Sequence, residues 1–389
     1  MQKARHIINA LKNGVVPENG LDALCVGRSR ELAEFRRCLD TTADGNGVVK
    51  FICGEYGSGK TFLMNAVKQQ AIAANFVIAD VQVSRSFRFN NIENLYYHIM
   101  HSITMSSFYS ASGFESIFDA WIKKLQAYED TGKAALEINS VIAELNRYNV
   151  SFARAFLYYI KARIERNMEL YSAAASWLMG EKNIPAALKS KFEVVGYIDK
   201  LNSIDFLKAF IKLVTLLGYS GLVVLVDELE LVMRERVDIR RVSYENLRYI
   251  IDICCSGEMP NCMFVFAGTN DFFENEEKGV KTYQALYQRL GDAMDKNDQG
   301  FYDMRQPIVR LRKPNSEEYQ ELTDRIISIY KVLYDFQPNT SNESIKSWTL
   351  LSTKKFGSKM NDLSIREYLT KLIEVLDIME QHPKNNIFI

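Results

Sequence analysis

The feature that most constrains this chain is a glycine-rich segment between an apolar run and a helical run. Residues 48–53 are β-rich and apolar except for Lys50, residues 54–61 read GEYGSGKT, and residues 62–74 have helical character. The segment matches the pattern GxxxxGK[ST] in full, and this pattern binds phosphate where a strand precedes it and a helix follows. Its glycines let backbone N–H groups turn toward phosphate oxygens, and the helix N-terminus adds positive potential. We therefore predict a phosphate-binding loop.

Two residues of this loop point to ATP with Mg²⁺ rather than to a glycine turn of purely structural use. Lys60 is expected to reach the β- and γ-phosphates, and Thr61 is expected to bind Mg²⁺ through its hydroxyl. A structural turn before a helix would account for neither residue. The predicted ATP-contacting residues are Gly54, Glu55, Tyr56, Gly57, Ser58, Gly59, Lys60 and Thr61.

A second apolar run ends in two acidic residues. Residues 222–226 read LVVLV, which is typical of a strand covered on both faces, and Asp227 and Glu228 follow directly. A phosphate loop needs a partner carboxylate for Mg²⁺, and we expect Asp227 to supply it. Glu228 is predicted to polarise the attacking water as a catalytic base. A glutamate beside the metal-binding aspartate favours hydrolysis over simple nucleotide binding.

Further polar residues stand where they could support hydrolysis. The run 263–267 leads into Thr269 and Asn270. In ATPases with an additional catalytic strand, a polar residue at this strand end senses the γ-phosphate, and Asn270 is preferred here over Thr269. Arg289, in a helical segment, is a candidate arginine finger for a neighbouring subunit. Arg366, in the helical tail, is a candidate contact to the γ-phosphate. Either arginine could instead be a surface residue.

Apolar residues near the N-terminus are candidates for the adenine end of the site. Val16 and Val26 are predicted to pack on the adenine, and Val15 is a further candidate. Ordinary N-terminal packing would explain the same residues.

The order of strand-like and helical runs predicts an α/β fold with a parallel sheet core, because strand, helix and strand succeed one another around the loop. The predicted strands are residues 48–53, 76–83, 222–226, 263–267 and 308–311. A large helical insertion covers about residues 91–217. We predict an N-terminal adenine-side segment (1–45), an ATPase domain that contains the insertion (46–312) and a C-terminal helical lid (313–389).

Charge and composition restrict the classes of function and the cellular location that we expect for this chain. The 48 lysines and arginines balance the 48 acidic residues, so the formal net charge is +0 and no overall field draws the chain to nucleic acid. The N-terminus lacks the apolar stretch and cleavage site of a signal peptide, and no apolar run is long enough to span a bilayer. The six cysteines form no CxxC pair, which favours buried thiols in a reducing compartment. We expect a cytoplasmic protein without membrane contact.

This combination resembles the AAA+ and STAND branches of the P-loop ATPases, and more closely the BrxD-type ATP-binding proteins of bacterial BREX phage-defence loci. The residues that carry the closer resemblance are RHIINAL (5–11), GVVP (14–17), VGR (26–28), GEYGSGKT (54–61), SWLMGE (176–181), GYSGL (218–222), DELE (227–230), AGTN (267–270) and the helical segment 283–290. The likeness covers nearly the whole chain, and GEYGSGKT and GYSGL…DELE are its most specific parts. Ser364-Ile365-Arg366 departs from the Thr-Pro-Arg expected of the family.

The resemblance implies an AAA+-like fold and a role in defence against phage or other foreign DNA, beside a helicase-like partner. Our leading hypothesis is an oligomeric ATPase that acts on DNA or signals about it, with ATP between protomers and Arg289 supplied by the neighbour. The alternative is a slow-turnover, STAND-like switch that assembles defence partners, and a third is a loader for a separate helicase. Double-stranded DNA is a candidate partner. The basic residues considered for DNA contact are Arg85, Arg88, Lys189 and Lys191.

Overall fold

A six-stranded β-sheet organises the chain. The structure is a computed structural model that describes residues 1–17, 20–84, 86–104, 113–128, 130–291, 303–352 and 364–382. The strands are β1 (Gly47–Cys53), β2 (Val77–Gln82), β3 (Ile103–Thr104), β4 (Leu222–Asp227), β5 (Cys262–Gly268) and β6 (Ile308–Arg310). Their order across the sheet is β3-β2-β4-β5-β1-β6, and only β3 pairs antiparallel with its neighbour among these strands. The predicted α/β architecture with a mostly parallel sheet is confirmed.

Helices surround this sheet and fill the long segment between β3 and β4. The helices are α1 (Gln2–Lys12), α2 (Leu21–Leu24), α3 (Ser29–Ala43), α4 (Lys60–Ala73), α5 (Ile92–His101), α6 (Gly113–Gln126), α7 (Thr131–Asn146), α8 (Val150–Ile164), α9 (Met168–Leu178), α10 (Ala186–Lys191), α11 (Ser203–Leu216), α12 (Val237–Cys255), α13 (Asn270–Glu274), α14 (Gln284–Leu290), α15 (Ser316–Tyr334), α16 (Asn342–Ser352) and α17 (Ile365–Gln381). Short 3₁₀ helices occupy Leu229–Arg234 and Val280–Thr282. No helix in the described ranges combines the length and apolar character needed to cross a bilayer.

The sheet is covered on both faces because successive strand residues point to opposite sides. On one face Val224 and Phe264 belong to a large core that continues into the helices of the insertion. On the other face Val223 and Val265 pack with residues of α3 and α4. Continuous apolar runs in β4 and β5 are therefore what the fold requires. All six cysteines lie within the described residues, and none forms a disulfide.

A third core holds the lid together. It joins Ile8 and Leu11 of α1 to Ile326 of α15 and to Tyr368 and Leu372 of α17. The N-terminal helix therefore packs on the C-terminal helices, although the two are far apart in sequence. The predicted domain bounds at 45 and 312 stay predictions.

Candidate nucleotide-binding site

The glycine-rich segment turns sharply between β1 and α4. Residues 54–59 lie between the end of β1 and Lys60, the first residue of α4. Gly57 (φ +74°) and Gly59 (φ +94°) adopt left-handed conformations, which glycine reaches without steric cost. Gly57 also has a packing constraint, since a Cβ there would lie 2.2 Å from Cβ of Ser364. The loop therefore has the strand-to-helix setting that the motif requires.

Lys60 is buried within the loop, with 8% of the residue exposed. Its Nζ donates to the backbone oxygens of Gly54 (3.0 Å) and Glu55 (3.1 Å). The same ammonium lies 5.2 Å from the ring centroid of Tyr56. The positive charge is thus held at the mouth of the loop by neutral oxygens and an aromatic face. An anionic phosphate oxygen would be a stronger partner than either.

Thr61 and Asp227 meet, although they are distant in sequence. Thr61 Oγ1 donates to Asp227 Oδ2 over 3.0 Å. This contact follows from the sheet, because the carboxyl ends of parallel strands meet at one edge. A hydroxyl beside a carboxylate offers the hard oxygen ligands that Mg²⁺ prefers. The pair fits a magnesium ion that would complete its shell with water and phosphate oxygens.

Glu228 turns away from the strand at the same edge. It has a left-handed backbone (φ +65°), and its N–H donates to Asp227 Oδ1 over 2.8 Å. Burial raises the pKa of the Glu228 carboxyl, and the Glu230 and Asp227 carboxylates raise it further, against the opposing charge of Lys60. A carboxylate with a raised pKa is a stronger base. The site therefore places a carboxylate suited to accept a proton beside the phosphate loop.

Glu230 is a site residue to which the sequence reasoning gave no role. It is 7% exposed and lines the cavity, and its Oε2 has no hydrogen-bond partner among the described residues. Burial, followed by the Glu230 carboxylate, raises the pKa of the Tyr56 hydroxyl. The sequence DELE could have indicated this residue, because Glu230 follows Glu228 after a single apolar residue, the buried Leu229.

The phosphate-loop and acidic residues described above line a cavity of about 640 Å³. This volume lies within the usual range of small-molecule sites. The lining also includes the predicted adenine-side residues Val16 and Val26, as well as Val15. The further apolar lining is Leu11, Pro17, Leu24, Phe62, Leu322, Ile365 and Leu369. A lining that combines polar and apolar side chains suits a ligand with a phosphate chain and a flat base.

Arg28 is a second residue that sequence reasoning left without a role. Its guanidinium is buried, with 5% of the residue exposed. Nη2 donates to the backbone oxygens of Ser58 (2.9 Å) and Arg312 (2.8 Å), and Nη1 pairs with Glu31 (3.1 Å). One side chain therefore ties the phosphate loop to the strand-to-lid connection. Its partners lie up to 284 positions away, so no local pattern could have shown the role.

The lid reaches the phosphate loop through the start of α17. The backbone N–H of Ile365 donates to the Gly57 oxygen over 3.1 Å. Ser364 and Glu367 form a capping box that fixes this helix end. Arg366, in the first turn, lines the cavity. The structure thus brings this predicted γ-phosphate contact to the site, despite the altered tripeptide around it.

Neither Asn270 nor Arg289 is among the described residues that line the cavity. Asn270 begins α13 at the end of β5, next to the end of β1, and accepts a hydrogen bond from Cys53. Thr269, the other candidate, is 5% exposed. Arg289 lies outside the residues that line the cavity in the described part of the chain. It is paired instead with Asp252, with Nε–Oδ1 at 2.9 Å and Nη2–Oδ2 at 3.4 Å.

The basic residues considered for DNA contact make local contacts. Arg88 lies 3.4 Å from a carboxylate oxygen of Glu235, and Lys191 lies 3.7 Å from Glu169. Lys189 donates to the Gly196 oxygen over 3.2 Å. The remaining candidate, Arg85, lies outside the described residues. DNA contact through these residues stays a prediction.

The fold and the loop define an α/β protein with a phosphate-binding-loop motif at the junction of a parallel strand and a helix. Comparison with family models then places the molecule more narrowly. The chain belongs to the family described as BREX system ATP-binding protein BrxC/D, whose model matches residues 1–387. This confirms the resemblance to BrxD-type proteins, and with it ATP binding and membership of a BREX system. A comparison with curated proteins found no match.

Proposed function

We propose that this protein hydrolyses MgATP in the cavity at the phosphate loop, as an oligomeric AAA+-like ATPase of a BREX defence system. The observation that carries the proposal is the meeting of Thr61, Asp227 and Glu228 beside Lys60 at one edge of the sheet. Strand β5, which precedes Thr269 and Asn270, lies between β1 and β4, so its carboxyl end adjoins the strands that lead into the phosphate loop and Asp227.

The chemistry follows from the residues at the two ends of the reacting phosphate. Glu228 would take a proton from a water molecule, and the oxygen of that water would attack the γ-phosphorus. The bond between the γ-phosphorus and the bridging oxygen would break, and that oxygen would leave with ADP. Lys60 would neutralise charge on the γ-phosphate and on the leaving oxygen. Mg²⁺ held at Thr61 and Asp227 would add further positive charge there. Inorganic phosphate and ADP are the products.

The proposed partners are further protomers, a helicase-like BREX protein and double-stranded DNA. An interface between protomers would bring Arg289 of one chain to the site of the next. The present pairing of Arg289 with Asp252 would have to open for that contact. Movement of the lid would transmit the nucleotide state, because α17 touches the loop directly.

A slow-turnover switch is the second candidate, and one observation favours it. The lid is already bonded to the phosphate loop through Ile365 and Gly57, and Arg289 is held within its own protomer. Such a closed protomer would exchange nucleotide slowly. Steady-state turnover measured with and without double-stranded DNA separates the two. Stimulation by DNA favours the motor, and slow turnover that ignores DNA favours the switch.

The test of hydrolysis uses Glu228→Gln, which keeps the side-chain shape and removes the base. We expect its rate of phosphate release to fall about a hundredfold or more, because a general base contributes that much. The variant should retain bound ATP when it is isolated after incubation with MgATP. Glu276→Gln is the matched control, since Glu276 is exposed, pairs with Lys281 and is not among the described residues that line the cavity. A rate of phosphate release by Glu228→Gln equal to that of the control would contradict the proposal.

A further inference from the structure

Most buried cations of this chain have an acidic partner. Five lysines and arginines are buried among the described residues. Three of them pair with a carboxylate, namely Arg28 with Glu31 (3.1 Å), Lys50 with Glu34 (2.7 Å) and Arg310 with Glu274 (2.8 Å). The other two, Lys60 in the phosphate loop and Arg240 on α12, form no ion pair within the described ranges. A buried charge without a counter-ion lowers stability, so its presence at both positions points to a role in binding.

Arg240 also has hydrogen-bond donors to spare. The residue is 8% exposed, and its Nη1 donates to the backbone oxygen of Glu235 over 3.2 Å. A guanidinium has five N–H donors, and the others of Arg240 have no partner in the described part of the chain. The Glu235 carboxylate is engaged elsewhere, 3.4 Å from Arg88. Arg240 thus resembles Lys60, whose Nζ likewise donates to backbone oxygens.

Arg240 lines a cavity of about 470 Å³ between α12 and residues 277–283. This volume is within the usual range of ligand sites, and none of the described residues that line it also lines the nucleotide cavity. Tyr283 lines it as well, and its hydroxyl has no hydrogen-bond partner among the described residues. Glu277, an acidic residue of the lining, is exposed and forms no ion pair with Arg240. A buried guanidinium and a phenol hydroxyl therefore border a space large enough for an anionic group.

We propose that Arg240 marks a second anion site, which binds a phosphate group. Phosphate suits the site better than a carboxylate does, because it has more oxygens to accept from both the guanidinium and the Tyr283 hydroxyl. Two sources offer this chemistry, the backbone of DNA and free inorganic phosphate. The inference goes beyond the proposed function, since it requires neither ATP hydrolysis nor an oligomer. With DNA as the source, the site also supplies a contact for the DNA partner proposed above.

The test measures the Kd of inorganic phosphate in a Lys60→Ala background, so that the phosphate loop contributes less to binding. Arg240→Met removes the charge and keeps an extended side chain. We expect it to weaken phosphate binding at least about tenfold, because charge-assisted hydrogen bonds are lost. Arg236→Met is the matched control, since Arg236 is exposed, pairs with Asp238 and is not among the described residues of the cavity lining. The control should bind phosphate as its parent does.

A DNA duplex of about 20 base pairs distinguishes the two sources, because it carries the same charged group along a backbone. A duplex Kd that also weakens about tenfold in Arg240→Met identifies backbone phosphate, and a weakened phosphate Kd with an unchanged duplex Kd identifies free phosphate. Either result supports the site. Equal affinities of Arg240→Met and Arg236→Met for both probes would overturn it. Sodium acetate at matched ionic strength that competes as well as phosphate would overturn the choice of ligand.

Unfolding measurements separate a binding role of Arg240 from a structural one. In phosphate-free buffer, Arg240→Met should unfold at the denaturant midpoint of its parent or above it, because an unpaired buried charge is removed. A lowered midpoint together with unchanged binding of both probes would show a purely structural arginine. If this variant does not fold, Tyr283→Phe replaces it and should weaken phosphate binding about threefold, and an unchanged Kd would then overturn the inference. Failure here leaves ATP hydrolysis standing, since Glu228→Gln tests that separately.

Discussion

Glu228 shows how one residue can carry both a backbone constraint and an electrostatic one. Its left-handed conformation (φ +65°) is uncommon for a residue with a side chain and costs on the order of 1–3 kcal/mol. This conformation turns the chain from β4 into the 3₁₀ helix Leu229–Arg234 and lets the Glu228 N–H bond to Asp227. Burial and two nearby carboxylates then raise its pKa. Both features suit a base that must remain close to a negatively charged substrate.

The effect of Glu230 on Glu228 can be measured through the pH dependence of hydrolysis. Glu228 acts as a base only when ionised, so kcat/KM should fall as the pH drops through its raised pKa. Glu230→Gln removes a negative charge that raises this pKa, so the midpoint of the acid limb should move to lower pH. Glu276→Gln should leave the midpoint in place. A midpoint that stays unchanged in Glu230→Gln would contradict the assignment of Glu228 as the base.

At the scale of elements, the phosphate loop and the lid are in direct contact. The start of α17 is fixed by its capping box and bonds to Gly57 through the Ile365 N–H. Arg28 ties the same loop to the strand-to-lid connection at Arg312. Any movement of the loop on nucleotide binding would therefore act on the lid at two points.

Two glycines with similar backbones but different surroundings test the lid contact. A Cβ added at Gly45 (φ +94°) would meet no other described residue within 4 Å, whereas a Cβ on Gly57 would collide with Ser364. We expect Gly45→Ala to lower the free energy of unfolding by about 1–2 kcal/mol through backbone strain alone. Gly57→Ala should cost at least about 1 kcal/mol more, because the lid must also move. Denaturant unfolding measures both, and equal losses would show that α17 does not rest on the loop.

Local patterns predicted the parts of this structure that depend on neighbours in sequence. The apolar runs of β4 and β5 and the glycine-rich loop predicted the parallel sheet, with each predicted strand found to within one residue at either end. The two-residue strand β3 was missed because Ile103–Thr104 is too short to show a period. The packing of α1 on α17 was missed because the sequence of neither helix indicates which other helix it contacts.

The residues of the candidate site also fall into those that local motifs predicted and those that only the folded structure showed. Thr61 and Asp227 were predicted together from two separate motifs, and the structure places them 3.0 Å apart. Arg28 and Glu230 had no assigned role, because their contacts are made only in the folded chain. Asn270, Arg289 and Arg366 stay predictions as catalytic residues.

At the scale of the whole molecule, one protomer holds an incomplete version of the proposed site. Arg289 is engaged with Asp252 on α12 of its own chain, outside the cavity lining that the structure describes. In the proposed oligomer, this arginine would serve the site of a neighbouring copy. Assembly and catalysis would then be linked, since the finger is supplied across an interface.

Mixing two inactive variants tests this arrangement. Lys60→Ala protomers would lack a functional phosphate loop but keep Arg289, and Arg289→Ala protomers would have the opposite defect. Mixed assemblies should therefore recover ATPase activity to roughly a quarter of wild type by random pairing, because some interfaces combine both intact parts. Arg241→Ala, at an exposed arginine paired with Glu245, is the control and should be active alone. Absence of recovery in the mixture would argue against an arginine supplied in trans.

The central claim is that the cavity at residues 54–61 holds the triphosphate of ATP, and equilibrium binding of MgATP to Lys60→Ala measures it most directly. Loss of the charged lysine should weaken binding by about 2 kcal/mol, or roughly thirtyfold in Kd. Lys68→Ala, on the same helix α4 and paired with Asp80, should bind as wild type does. Calorimetric titration of the three proteins would contradict the claim if Lys60→Ala bound MgATP with the wild-type Kd.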